Sequence, residues 1–241
     1  MKISYEFGSR LTRLGKKLLL IYGVIYVLEL LFEHWFKIPI VSLLMLHPYE
    51  HNSFHIWQLV SHPFIHDPYS PFSFLISCIV FYFFVGPVEN YFGIKRFLAF
   101  FYTSALGGLL GGLAFSSVSG FNAPFSGMLP SLLSLIVIFG LLSPDATILL
   151  MFFLPIKAKY LSYGTIIVTF LTFLAKANPY GAYHLGGILF GYLYFKGYAN
   201  LIDLNLLYER YLRWQLKKKR ARFMVIDGNK GKGDEDRPTY H

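Results

Sequence analysis

Between Phe72 and Val118 the only charged residues are Glu89, Lys95 and Arg96. A run of roughly 18 or more apolar residues is long enough to span the hydrocarbon core of a bilayer, and this stretch holds two such runs back to back. Similar runs lie on either side of it. Charged residues make up 15% of the 241 positions, against about 25% in soluble domains. Mean hydropathy is +0.48, and the charges are segregated, so a water-soluble core does not account for the pattern. The fold class expected is all-α: a polytopic membrane protein in which helices satisfy their own backbone groups within lipid.

Six candidate spans follow from the apolar runs, at about residues 16–36, 72–92, 94–118, 128–142, 158–175 and 182–199. A shorter apolar stretch, Ile148 to Leu154, ends at Pro155 between the fourth and fifth. Basic residues in short loops mark the cytoplasmic side. They cluster at the N-terminus (Lys2, Arg10, Arg13, Lys16, Lys17), after the second span (Lys95, Arg96), after the fourth (Lys157, Lys159) and in the tail. The alternate loops carry only Lys37 and Lys176. Six spans with both termini in the cytoplasm and a long first extracytoplasmic loop satisfy that asymmetry. The expected organisation is a basic N-terminus (1–15), a six-helix membrane domain (16–200) and a basic, partly disordered tail (201–241). The first run is too long for a signal-peptide core and no small-residue cleavage site follows it, so it is read as an uncleaved span.

The tail cluster Lys217–Arg222 lies just beyond a membrane helix, where it attracts anionic lipid headgroups more simply than nucleic acid. The single cysteine, Cys78, excludes a disulfide framework and a thiolate zinc cluster. Gly107, Gly108, Gly111 and Gly112 in the third span, and Gly187 and Gly191 in the sixth, have the spacing that lets helix backbones approach closely in lipid.

Four segments in order resemble the rhomboid family of intramembrane serine proteases. Trp57-Gln58-Leu59-Val60-Ser61-His62-Pro63-Phe64-Ile65-His66 is similar to the family's first-loop stretch. Gly86-Pro87-Val88-Glu89 followed by Gly93 resembles its GPxxE…G. Phe139-Gly140-Leu141-Leu142-Ser143-Pro144-Asp145, continuing to Pro155-Ile156-Lys157-Ala158-Lys159-Tyr160, is similar to a run found in bacterial members. His184-Leu185-Gly186-Gly187 with Gly191 matches HxxGxxxG. The resemblance implies a compact six-helix bundle. It also implies a serine nucleophile at the start of the fourth span, a histidine base on the sixth, and a His-x-x-x-Asn pair on the second that helps hold the oxyanion. It further implies a bacterial cytoplasmic membrane and no cofactor.

The chain departs from that pattern. Counted from Gly86, the oxyanion pair falls on Phe74 and Cys78. Counted without gaps from Pro144, the nucleophile falls on Leu129, which has no chemistry to offer. A competing placement uses Ser126, which needs three more residues before Pro144 and would lie most of one helical turn away. The candidate dyad is then Ser126 and His184, since neither nucleophile nor base acts without the other in reach.

Each of these residues also has a plain structural role open to it. Serine is favoured at helix starts, and a histidine in an apolar helix can bond a neighbouring helix. Glu29 and Glu33, one turn apart in the first span, mark a polar path or lie near its outer end. Glu89 occupies a position suited to holding a loop. His47, His51, His55, His62 and His66 crowd the first loop, yet no Asp, Glu or Cys completes a metal set with them, and aromatic and imidazole side chains belong at a membrane interface in any case. Three functions remain open: a rhomboid-like pseudoprotease that binds transmembrane segments of client proteins, an intramembrane serine protease using Ser126 and His184, and a transporter or channel subunit.

Overall fold

The structure, a computed structural model, describes residues 11–47, 54–121, 123–150, 154–197 and 212–216. Lys2, Arg10, His51, Arg210 and the cluster Lys217–Arg222 lie outside the described residues. The chain divides into two units, Met1–Tyr198 and Ala199–His241. In the second, residues 212–216 are helical. The first holds the bundle.

α1 (Arg13–Leu30) opens on Thr12, whose hydroxyl accepts the Gly15 N–H at 3.0 Å, the usual N-cap bond. A π-helical turn at Leu31–Trp35 continues it. The first loop contains two short helices, α2 (Ile40–Leu44) and α3 (Gln58–Ser61), and a 3-10 turn at His62–Phe64. α4 (Pro71–Phe92) begins on a proline, whose missing N–H costs nothing in the first turn. Gly93 alone, at φ +75°, separates it from α5 (Ile94–Ser119). α6 (Leu129–Leu142), α7 (Ala158–Lys176) and α8 (Pro179–Phe195) complete six long helices among the described residues. α8 starts three residues before its expected position because Asn178 caps it, accepting the Gly181 N–H at 3.0 Å.

By length and composition α4, α5 and α7 are able to cross a membrane; α6 is apolar but shorter, at 14 residues. One segment departs from the all-α expectation. β1 (Thr147–Leu150) and β2 (Leu154–Lys157) form an antiparallel hairpin, with Thr147 opposite Lys157 and Leu150 opposite Leu154. This apolar stretch is too short to span, and β-branched Thr147, Ile148 and Ile156 suit pleated backbone. Pro155 is accommodated because both strands of a hairpin are edges.

α8 packs against α5, α6 and α7. Along α5 the approach is backbone to backbone: a Cβ on Gly111 would lie 2.6 Å from the Ala182 carbonyl oxygen, and one on Gly186 would lie 3.1 Å from the Gly111 Cα. Gly107 meets the Phe190 side chain, while Gly187 and Gly191 face Pro130 and Ser134 of α6. Across α5 and α6, Ser104 Oγ donates to Ser134 Oγ at 3.2 Å and Ser131 Oγ donates to the Phe101 carbonyl at 2.7 Å. The other half of the core is aromatic, built from Tyr22 of α1, Phe81 and Phe84 of α4, Phe97, Phe100 and Phe101 of α5 and Phe139 of α6.

The bundle therefore has two unlike ends. Arg13, Lys16, Lys17, Lys95, Arg96, Lys157, Lys159 and Lys196 gather at one, the basic end. There the Thr12 hydroxyl donates to the buried Glu89 carboxylate and ties α1 to α4. The first loop covers the other, the loop end.

Candidate functional site

The segment before α6 is held from three sides. Leu46 and Phe125 exchange both backbone hydrogen bonds at 2.9 Å, an isolated antiparallel bridge. The Gly127 N–H donates to the His62 carbonyl at 2.8 Å. Gly127 has φ +94°, a left-handed backbone that suits a residue without Cβ. From α8, the Tyr183 hydroxyl donates to the Gly127 carbonyl at 3.2 Å, and the Tyr183 ring stacks on Phe125 with centroids 5.0 Å apart. The residues flanking Ser126 thus touch the residue preceding His184.

Ser126 and His184 are both half-buried, and among the described residues no hydrogen bond joins them. Leu129 is the first residue of α6, with fully buried Met128 before it. An oxyanion needs free donors at the opening of α6, and two positions there offer none. Pro130 has no N–H, and the Gly127 N–H is already committed to the first loop. At the two oxyanion positions, Phe74 stacks on Tyr26 with centroids 4.0 Å apart and planes 11° apart. Cys78 packs half-buried against the core.

The described histidines of the first loop do not converge. The His47 Nε2 pairs with the Ser42 carbonyl at 3.0 Å, and His55 stacks on Trp57 at 4.1 Å. His62 is fully buried, its Nδ1 bonded to the Gln58 carbonyl at 2.9 Å, and burial holds its pKa below the usual value. His66 is buried too, and loss of hydration pushes its pKa down to about 4. Among the described residues no three of His, Cys, Asp and Glu come together as a metal-binding group.

Glu29 lies fully buried at the loop end of α1, where both carboxylate oxygens accept the His66 backbone N–H at 3.3 Å. It pins the first loop to α1 under a roof of Tyr22, Tyr26, His66 and Phe74. Sequence reasoning named Glu29 but missed three tyrosines, Tyr22, Tyr26 and Tyr183. Tyr22, Tyr26 and Glu29 follow helical spacing on one face, a pattern that was available. Tyr183 sits beside a motif histidine, with no local signal for its partner 56 residues away.

A comparison with curated proteins finds no match. A family model described as "Eukaryotic integral membrane protein (DUF1751)" matches residues 17–210, which take in all but the first turn of α1 and the whole of α8. The description is of eukaryotic proteins, so a bacterial cytoplasmic membrane has only the resemblance behind it. Matched over most of its length, the chain belongs to this family of integral membrane proteins.

Proposed function

We propose that the protein is a rhomboid-like pseudoprotease that binds transmembrane segments of other membrane proteins. The proposal includes six spans, both termini on the cytoplasmic side, and a basic tail that meets anionic lipid rather than nucleic acid. The observation that carries it is the state of three of the four positions where rhomboid proteases keep their chemistry, the fourth being the histidine retained at His184. Leu129 stands at the nucleophile position, and Phe74 and Cys78 stand at the oxyanion pair, with Phe74 committed to its stack on Tyr26. The surface that supports binding is apolar. Leu75, Cys78, Ile79, Tyr82 and Phe83 of α4 line a shallow groove of about 330 Å³. On α7, Ile167, Val168, Phe170, Leu171 and Leu174 face outward. In lipid, association of such surfaces rests on packing and small-residue contacts.

The test is fluorophosphonate labelling of the purified protein in nanodiscs, with Ser126→Ala and His184→Ala alongside and an active rhomboid as control. No labelling in any form is the expected result. Labelling lost in both variants would replace this reading with a second one, an intramembrane serine endopeptidase using a Ser126–His184 dyad. One observation favours that alternative: the Tyr183–Gly127 bond holds the two candidate segments against each other.

A further inference from the structure

A groove of about 570 Å³ runs between α7 and α8, walled by Ile166 and Phe173 on one side and Leu185, Leu189 and Tyr192 on the other, with Val137 of α6 at its floor. At the loop end it is shut. A Cβ on Gly181 would lie 2.7 Å from the Phe173 Cα, so the two helices touch there. Toward the basic end α7 turns onto α6, where the Ser162 hydroxyl donates to the Ile136 and Val137 carbonyls at 3.1 and 3.3 Å, and the groove opens.

Its dimensions select the occupant. Along α8 the lining runs from Ala182 to Tyr192, which at about 1.5 Å per residue is about 15 Å, half of a hydrocarbon core about 30 Å thick. A transmembrane helix, which needs the full thickness of the core, is blocked at the closed end. A single hydrocarbon chain from one leaflet matches that length. At the open end stands a cation: Lys196 Nζ lies 5.7 Å from the Tyr192 ring centroid, with its side chain exposed.

We propose that this groove is a phospholipid site, with one acyl chain laid along α8 and an anionic headgroup met by Lys196. Basic residues at the ends of membrane helices favour such headgroups by charge, and the apolar lining supplies the remainder. The site requires α7 and α8 to lie in the bilayer and is independent of whether the protein binds clients.

The full chain, purified and exchanged into mixed phosphatidylglycerol and phosphatidylcholine, tests it by native mass spectrometry. Wild type should retain one phospholipid enriched in phosphatidylglycerol. Leu189→Trp, which fills the groove from its exposed rim, should cut retention about ten-fold. Lys196→Gln should keep a lipid but lower the phosphatidylglycerol preference about five-fold. Independently of any substitution, phosphatidylglycerol with a photoreactive acyl chain should mark Ile166, Leu189 or Tyr192. Retention unchanged in Leu189→Trp, or marking confined to other helices, would overturn the site. A photoreactive side chain placed at position 189 that captured a polypeptide instead of lipid would overturn it in favour of a protein partner.

Discussion

α5 and α7 are both long, apolar and able to span a membrane, yet the bundle holds them very differently. α5 meets α8 through glycines, backbone on backbone, and buries residues along its whole length. α7 buries only Ala158, Ser162 and Thr169, and most of its other apolar side chains face outward. Where lipid tails are as apolar as leucine, burial alone does not hold a helix; close packing and hydrogen bonds do. The α5–α8 seam is the frame of the molecule, and α7 is held against it far less closely.

The largest effect should come from breaking the seam. Gly186→Val places methyl groups against the α5 backbone and should cost about 3 kcal/mol, read as a fall in thermal stability in detergent. Acid should act on the loop end through His66. His66 is neutral in the fold, with a pKa near 4 against an ordinary 6.5, so the unfolded chain binds a proton that the folded chain refuses. Stability is full above the ordinary value and is lost as pH falls toward the folded one, by about 1.4 kcal/mol per pH unit. Hydrogen exchange should show the first loop loosening over that window while α5 stays protected. His66→Phe, which keeps a ring in the aromatic roof, should flatten the slope.

Tyr183→Phe removes one hydroxyl bond to Gly127 and should cost about 1 kcal/mol. Leu171→Ala, on the outward face of α7, should change stability by less than about 0.5 kcal/mol. A seam as tolerant as α7, or an α7 as sensitive as the seam, would remove the distinction.

The helices were legible because lipid imposes long apolar runs, and each of the six runs became one long helix. The hairpin at Thr147–Lys157 was not, because an apolar stretch too short to span gives no period by which strand and helix differ. Motif spacing identified the segments around Ser126 and His184, which the fold brings together through Gly127 and Tyr183. The pairing of Glu29 with the His66 amide joins residues 37 positions apart. Nothing local announces it, since a backbone N–H has no sequence signature.

Gly93 has a consequence for how the protein is made. It is the only residue between two helices of 22 and 26 residues. No water-soluble connection exists between them, so α4 cannot settle in lipid while α5 waits outside. The pair is expected to enter the bilayer as one folded-back unit, its bend led or trailed by Lys95 and Arg96, which lie within three residues of the turn. A bulky or β-branched residue at this position would be felt first as a fault in membrane insertion, before any fault in the finished fold.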